Sequence, residues 1–307
     1  MDRWGIIIGH HTFQSRKDWR KIQQHLEAKG VVFDMVQSES YSSVERLAEM
    51  LCRNGYKTIV LIGNDATLNE AVNGILSIRQ PLPEDFAFGI IPYGIGNAFA
   101  SFWDIDTDNY RKAIDNILVR RTRTIDVGRC QFNNSQGKPQ CRYFLNCVNI
   151  GLGAKLVELT NRWHRLMGSK RLSLLPVFIA QIFERKSFNI RLKADTETVA
   201  RNVMSICIGN ATGYGQTPNA VPYNGLLDMS VTGRPTVWQL LRGFWLLGKG
   251  QFLNNKNVHP YRIQAVTLFE SGRASISLDG SMLPEKYVLP LNIGIEKDRI
   301  NFIISCD

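Results

Sequence analysis

The chain has 307 residues, of which 44% are apolar and 21% are charged. These proportions describe a globular protein long enough for two domains. The 37 Lys and Arg residues outnumber the 27 Asp and Glu residues, so we expect an anionic partner such as a phosphorylated substrate or a membrane surface. Nucleic acid is not expected as a partner, because the sequence has neither a zinc-ligand spacing nor an aromatic and basic RNA-binding motif.

The cysteines and the apolar runs bear on the location of the protein. The 6 cysteines are scattered without a C-x-x-C pair, and no signal peptide is recognised at the start. We therefore expect a reducing, cytoplasmic compartment. The longest apolar stretches, such as Leu172 to Phe183, are too short to cross a bilayer, so membrane contact is expected to be peripheral, at the inner membrane face.

The first part of the chain alternates apolar strands with amphipathic helices. Strands are predicted at residues 4–9, 31–36, 58–62 and 86–92, and helices at residues 18–29, 44–54, 68–78 and 109–118. This alternation predicts a parallel sheet with helices on both faces. Residues 1–127 are therefore interpreted as a Rossmann-like α/β nucleotide-binding domain.

From residue 128 onward, short alternating strands separated by turns replace this pattern. They are predicted at residues 129–132, 142–149, 188–193, 203–208, 263–268, 274–278, 287–295 and 299–305. Such a pattern is typical of antiparallel sheets, so residues 128–307 are interpreted as a β-sandwich substrate domain. The last strand could close this domain or return to the first, and both alternatives stay open.

Two glycine turns follow strands of the first domain. Gly63 ends the strand at 58–62, and a polar turn containing Asp65 leads into a helix. Gly94 and Gly96 lie in a similar turn after the strand at 86–92. A helix that starts after a strand presents backbone N–H groups and the positive end of its dipole, which suits a phosphate group. Asp65 adds a carboxylate at this place.

These segments resemble the diacylglycerol kinase and sphingosine kinase superfamily, which includes bacterial lipid kinases. Residues 63–70 resemble its G-G-D-G-T-x-N-E loop, and residues 92–100 resemble its P-x-G-[ST]-x-N-D-F-A segment. Further family segments are matched, in the expected order, at residues 149–154, 208–215, 222–228 and 278–280. This ordering across nearly the whole chain, more than any single motif, identifies the chain as a member of that superfamily.

The resemblance implies an NAD kinase/diacylglycerol kinase-like fold and an ATP-dependent kinase that phosphorylates a hydroxyl of a membrane lipid, of diacylglycerol or sphingoid-base type. The implied cofactors are ATP and Mg²⁺. The implied nucleotide-binding residues are Ser38, Gly63, Asn64, Asp65, Ala66, Thr67, Leu68, Asn69, Glu70, Gly94, Ile95, Gly96 and Asn97.

Three acidic residues are implied to be catalytic: Asp65, Asp126 and Asp279. The aspartate of the family's L-D-G-E segment is its proposed general base toward the lipid hydroxyl, and Asp279 matches it. We expect Asp65 and Asp279 to converge in an interdomain cleft. The family also holds a structural Mg²⁺ at its D-G-L-L-D turn, which implies a weak metal site at Asn224, Leu227, Asp228 and Met229.

Several changed positions keep an alternative open. Asn64, Ala66, Ile95, Ala98, Asn224 and Ser281 differ from the family pattern. A Cβ where the family has glycine, as at Ala66, could cost on the order of 1 kcal/mol. The alternative is therefore a catalytically impaired homologue that binds nucleotide or lipid without turnover. An NAD kinase shares the glycine loop, but the L-D-G segment favours a lipid kinase, and a Rossmann dehydrogenase would need a G-x-G-x-x-G after the first strand.

Two cationic stretches with apolar centres favour an anionic membrane surface. One spans residues 161–193, and the other, residues 229–269, has no acidic residue and includes the apolar run from Trp238 to Leu247. The expected partners are thus a membrane lipid substrate and an anionic membrane surface, and a homodimer is left open. The sequence does not identify the lipid.

Overall fold

The computed structural model describes residues 3–9, 16–40, 43–78, 81–94, 96–156, 186–283 and 287–306. The chain divides into two compact units. Unit one comprises Met1–Ile125 and Asp298–Asp307, and unit two comprises Asp126–Lys297. Ile95, a predicted nucleotide-binding residue, lies outside the described residues. Residues 157–185, which contain most of the first cationic stretch, also lie outside them.

Unit one is built on parallel strands with helices between them. The strands are β1 (Trp4–Ile8), β2 (Phe33–Gln37), β3 (Thr58–Gly63) and β4 (Ala87–Pro92), and the helices are α1 (Arg16–Ala28), α2 (Ser43–Arg53), α3 (Asp65–Leu76), α4 (Ala98–Phe102) and α5 (Tyr110–Val119). The strand order is β2-β1-β3-β4, and each neighbouring pair is parallel. The predicted parallel sheet is therefore confirmed. Every residue of β1, β3 and β4 is buried, as expected of strands covered on both faces.

Two close approaches fix the packing of unit one. A Cβ built on Gly74 of α3 would lie 2.1 Å from the Glu45 carbonyl oxygen of α2, so glycine allows these helices to approach closely. The end of the chain also packs here, because Phe302 pairs in parallel with Phe88 of β4. The Phe302 ring lies 5.2 Å from the Phe99 ring and 6.1 Å from the Phe88 ring, measured between centroids.

Unit two consists mainly of antiparallel strands. The strands are β5 (Thr122–Asn134), which starts in unit one, then β6 (Pro139–Phe144), β7 (Cys147–Gly151), β8 (Phe188–Ala194), β9 (Glu197–Val203), β10 (Ser205–Gly209), β11 (Leu227–Thr232), β12 (Val258–Ile263), β13 (Ala265–Glu270), β14 (Ile276–Leu278), β15 (Ser281–Met282) and β16 (Tyr287–Ile303). Helix α6 (Val237–Gly248) follows β11, and short 3₁₀ turns occur at Gly213–Gly215 and Phe252–Asn254.

These strands form a sandwich. One antiparallel sheet has the order β12-β11-β10-β7-β14-β15, while β16, β13, β8 and β9 pair in sequence in a second set. Side chains of both sets, such as Ile206 of β10 and Leu192 of β8, share one buried apolar cluster. The predicted antiparallel β-sandwich is confirmed.

Several boundaries differ from those predicted. The strand expected at 142–149 is split into β6 and β7 at Leu145 and Asn146, and the strand expected at 263–268 is split at Gln264 into the end of β12 and β13. In both places backbone N–H groups turn away from the strand pairing and donate to a carboxylate, Asp279 or Asp195. The strands expected at 287–295 and 299–305 form one strand, β16.

Candidate functional site

The first glycine turn connects β3 to α3 and is closed by its own side chains. Asn64 is the N-cap of α3: its side-chain oxygen accepts the Thr67 N–H at 3.2 Å, and the Thr67 hydroxyl oxygen accepts the Asn64 N–H at 2.9 Å. This capping box starts the helix at Asp65, three residues before the predicted start. A Cβ on Gly63 would lie 2.2 Å from the Thr67 hydroxyl oxygen, so the turn requires glycine there.

The position of this turn in the sheet is one where ligands commonly bind. Strand β1 pairs with β2 on one side and β3 on the other, so the chain reverses direction across the sheet between β1 and β3. In open parallel sheets, ligands bind beyond the carboxyl ends of the strands at such a switch point. Gly63 is the last residue of β3 and therefore lies at that edge.

The second glycine turn follows β4 and is hydrogen-bonded to the first. The Tyr93 N–H donates to the Gly63 carbonyl at 2.8 Å, and the Asp65 N–H donates to the Gly96 carbonyl at 2.8 Å. Gly94 and Gly96 both have positive φ, 89° and 83°, which favours glycine. A Cβ on either residue would meet no described heavy atom within 4 Å, so this backbone is open to a ligand.

Asp65 joins the two turns through its side chain. The carboxylate is 3% exposed and accepts the N–H groups of Ala98 at 2.9 Å and Phe99 at 3.2 Å. It therefore caps α4, whose own N-cap residue Asn97 makes no side-chain cap. The two predicted phosphate-binding turns thus form one hydrogen-bonded structure with Asp65 at its centre.

Two further hydroxyl groups of unit one have protein partners. The Tyr93 hydroxyl donates to Asp18 at 2.8 Å, and burial followed by this hydrogen bond raises the pKa of Tyr93 to about 12. Ser38, a predicted nucleotide contact, is buried; its hydroxyl donates to the Ser40 carbonyl at 2.9 Å and lies 2.5 Å from the Ser43 hydroxyl. These contacts place Ser38 at the start of α2.

The remaining predicted nucleotide residues of unit one lie on α3. Leu68 is buried in the core, and Asn69 is buried with its side-chain oxygen 3.3 Å from the Asn73 amide nitrogen. Ala66, Thr67 and Glu70 are partly buried. Leu68 therefore contributes to packing, while Ala66 and Thr67 are partly exposed beside the glycine turn.

Asp279 lies in unit two, in the turn between β14 and β15. It is 2% exposed, its φ is 46°, and its carboxylate accepts three backbone N–H groups. The donors are Leu145 at 2.6 Å, Asn146 at 2.9 Å and Cys147 at 2.8 Å. These are charge-assisted bonds, so they orient the carboxylate and stabilise its anionic form.

Amide side chains that sequence reasoning did not single out connect this turn to its neighbours. The Asn210 amide donates to the carbonyls of Asp126 at 3.0 Å and Leu145 at 2.9 Å, and the Asn146 side-chain oxygen accepts the Gly213 N–H at 2.9 Å. Both side chains are fully buried. The available signal was an asparagine inside or directly after an otherwise apolar strand, where a polar side chain needs a specific partner.

Asp126, the third predicted catalytic acid, lies in unit two against the turn before β11. It is buried, and its carboxylate accepts the Gly225 N–H at 2.7 Å. Its own N–H donates to the Pro222 carbonyl at 2.8 Å. These contacts show that Asp126 stabilises the turn from Pro222 to Asp228.

The predicted metal-binding residues lie in that turn and have protein partners. The Asp228 carboxylate pairs with Arg262 through two hydrogen bonds, at 2.8 and 3.2 Å, and this pairing raises the pKa of Arg262. The Asn224 side-chain oxygen accepts the Leu226 N–H at 2.9 Å. Leu227 and Met229 are buried in β11.

A second cation lies close to the same turn. A Cβ built on Gly225 would be 2.7 Å from the Lys297 ammonium nitrogen. Across the part of the chain that the structure describes, no group of three or more His, Cys, Asp or Glu side chains could bind a metal ion. Because Mg²⁺ requires several oxygen ligands with little competition from other cations, these residues do not fit a resident Mg²⁺ ion.

No helix among the described residues is both long enough and apolar enough to cross a membrane.

Comparisons with known proteins assign the class and then the family. Yeast NADH kinase, solved in complex with NADH, has a TM-score of 0.54 at 10% identity, over 98% of this chain and 82% of that one. A diacylglycerol kinase from Bacillus anthracis str. Sterne has a TM-score of 0.68 at 14% identity, over 99% of this chain and 97% of that one. At these identities the likeness shows the fold, which is that of the NAD kinase and diacylglycerol kinase class.

The family follows from the sequence. Residues 10–130 match the family "Diacylglycerol kinase catalytic domain", and residues 146–300 match the family "YegS C-terminal NAD kinase beta sandwich-like domain". A "Diacylglycerol kinase" of Mycobacterium tuberculosis is 27% identical over 247 residues, which cover 78% of this chain and 76% of that protein. The chain belongs to the bacterial diacylglycerol kinase-like family of lipid kinases.

Proposed function

We propose that this protein is an ATP-dependent lipid kinase that phosphorylates a hydroxyl of a membrane lipid, of diacylglycerol or sphingoid-base type. Its membership of a lipid kinase family and its relatives named diacylglycerol kinase support this class of reaction. One structural observation links the proposed reaction to particular residues. The two glycine turns are hydrogen-bonded to each other beyond the carboxyl ends of the neighbouring strands β3 and β4.

In this proposal the joined turns bind the phosphates of ATP. The open backbone at Gly94 and Gly96 supplies room for close approach, as phosphate-binding loops require. Asp65 acts as a positioning residue, because its carboxylate connects the second turn to α3. ATP held at these turns would carry Mg²⁺, which would supply neutralisation of the charge that develops during transfer.

The acceptor step needs a group that removes the hydroxyl proton. We assign this role to Asp279, whose carboxylate takes the proton as the lipid oxygen forms a bond to the γ-phosphorus. The bond from that phosphorus to the bridging oxygen breaks, and ADP leaves. The backbone N–H groups of Leu145, Asn146 and Cys147 fix the direction in which the carboxylate points. Fixed orientation favours proton transfer, whereas stabilisation of the anion weakens it as a base.

A second candidate function rests on that last point. Asp65 and Asp279 both accept backbone N–H groups, and Asn64 and Thr67 satisfy each other at the start of α3. Carboxylates and a helix start that are engaged in this way have a complete structural role without substrate. Ser281, where the family has glutamate, removes a further acid. The alternative is a homologue that binds nucleotide or lipid without turnover.

One experiment separates these functions. Purified protein is titrated with Mg-ATP by calorimetry and then incubated with γ-³²P-ATP and vesicles containing diacylglycerol, sphingosine or a total bacterial lipid extract. A lipid kinase gives a labelled phospholipid. Binding of Mg-ATP without any labelled lipid supports the impaired homologue, and failure of both measurements contradicts the kinase and any homologue that binds nucleotide.

Two variants then test the assigned roles. Asp279→Asn should lower the phosphorylation rate at least about a hundredfold, while Mg-ATP affinity stays close to that of the wild type. Asp195→Asn is the matched control, because Asp195 is exposed, has φ of 49° and also accepts backbone N–H groups. Its rate should be unchanged. An Asp279→Asn variant that is folded and active would end the role of Asp279 as proton acceptor.

A further inference from the structure

Helix α6 presents an apolar face to the surface of unit two. Trp238 is 81% exposed, Trp245 57% and Leu241 41%. At 3.6 residues per turn these three positions, with Arg242 and Lys249, lie on one side of the helix. These five residues are called the α6 face below. Large apolar side chains grouped on an exposed surface usually mark an interaction site.

Packing and capping fix the orientation of the α6 face. Leu240, Gly243 and Leu246, on the opposite side, are buried. A Cβ on Gly243 would lie 2.8 Å from the Asn255 amide nitrogen, so the helix lies close against the segment that follows it. Thr236 and Gln239 form a capping box at its start. The tryptophans therefore face outward because the other side of the helix is occupied.

The charged residues on α6 and at its C-cap are cations. Arg242 lies one turn from Trp238 and is exposed, and the Lys249 ammonium lies 4.0 Å from the centroid of the Trp245 ring. No Asp or Glu occurs between Asp228 and Glu270 in the sequence. Tryptophan and leucine side by side with Lys and Arg are the composition of a helix that binds an anionic lipid interface.

The helix is also close to the turn that carries Asp279. A Cβ on Gly215 would lie 3.2 Å from Leu247 of α6, and a Cβ on Gly280 would lie 3.6 Å from the Tyr214 hydroxyl. The 3₁₀ turn Gly213–Gly215 thus connects α6 to the residue after Asp279. A membrane bound at α6 would therefore lie near the residue proposed to act on a membrane lipid.

We infer that the α6 face docks this protein onto an anionic phospholipid bilayer. Trp238, Leu241 and Trp245 enter the boundary between headgroups and acyl chains, while Arg242 and Lys249 contact lipid phosphates. This surface serves the lipid kinase proposed above, and to that extent it rests on that function. The occupant is a lipid surface because two copies of the α6 face would bring like charges together, and one helix face is small beside the about 800 Å² per partner of a stable protein interface.

The test measures membrane binding without nucleotide and without an acceptor lipid. Full-length protein is sedimented with vesicles of phosphatidylcholine alone or of phosphatidylcholine mixed with phosphatidylglycerol. Wild-type protein should bind the anionic vesicles, and added salt should weaken the binding. Trp238→Ala/Trp245→Ala should lower the partition coefficient at least about tenfold. Phe269→Ala is the matched control, because Phe269 is 41% exposed and contacts Arg191 in a similar cation–ring pair.

Two double charge-reversal variants test whether Arg242 and Lys249 contribute to membrane binding. Arg242→Glu/Lys249→Glu should lower binding to anionic vesicles by about tenfold or more for each cation removed. Arg111→Glu/Lys138→Glu changes the net charge equally at exposed positions elsewhere and should bind like the wild type. If both double variants lose binding to the same degree, net charge rather than the α6 face is responsible, and the inference fails.

Two more outcomes decide the inference. Iodide should quench tryptophan fluorescence of the free wild-type protein, and the quenched fraction should be smaller in Trp238→Ala/Trp245→Ala. An equal quenched fraction in both proteins would mean that another part of this chain or a second copy covers α6, and the inference would fail. Far-UV circular dichroism and thermal melting check that each variant is folded. Vesicle binding by a wild type that labels no lipid would support the α6 face while contradicting the kinase function, so the two proposals fail separately.

Discussion

Asp65 in unit one and Asp279 in unit two are both buried carboxylates that accept backbone N–H groups, but the backbone they bind differs. Asp65 caps the first turn of α4 through two N–H groups. Asp279 accepts three N–H groups at the break between β6 and β7. A helix start accepts several kinds of capping side chain, whereas three convergent donors require a carboxylate. We therefore expect substitution to be tolerated better at Asp65.

The largest effect on stability is expected at Asp279. Asp279→Asn puts an amide NH₂ group among three N–H donors, so at least one buried donor loses its acceptor and all lose a charged partner. We expect the free energy of unfolding to fall by about 3 kcal/mol. Urea denaturation followed by circular dichroism measures this. Asp195→Asn, at an exposed residue with the same kind of bonds, should cost less than about 1 kcal/mol; equal losses would show that burial is not the cause.

A smaller effect is expected at Asp65. Asp65→Ala removes the cap of α4 and should cost about 2 kcal/mol, while Asp65→Asn, which keeps a cap-forming oxygen, should cost about 1 kcal/mol. Both are measured by the same urea titration. Asn109→Ala is the control, because Asn109 is an exposed cap that accepts the N–H groups of Arg111 and Lys112 on α5. A loss for Asp65→Asn as large as that for Asp279→Asn would remove the distinction between the two acids.

The same two residues show what the sequence could predict. Runs such as residues 58–62 and 86–92 are apolar and are followed by turns that contain glycine, so the strands, their turns and the parallel sheet follow from local pattern. The structural role of Asp65 depends on Ala98, 33 positions away, and that of Asp279 on Leu145, 134 positions away. No local pattern contains those contacts, and this is why the predicted strand at 142–149 was wrong at Leu145 and Asn146.

Pairing register sets a similar limit at the predicted metal turn. Asp228 and Arg262 are directly opposite in the pairing of β11 with β12. Only that register brings the guanidinium to the carboxylate, and local pattern could not indicate it because β12 itself was not predicted. The family resemblance therefore suggested a metal where the structure has an ion pair and a nearby ammonium group.

The smallest effects are expected at the predicted metal turn. They show whether the Asp228 carboxylate binds a metal ion or is already neutralised by a protein cation. If Arg262 and Lys297 supply the positive charge, EDTA should leave the melting temperature unchanged. Arg262→Gln should lower the free energy of unfolding by up to about 1 kcal/mol, since the pair is partly exposed. Arg191→Gln, which breaks a pair with Glu270 that is more exposed, should cost less. A melting temperature that falls with EDTA and recovers with Mg²⁺ would instead place a metal ion at Asp228.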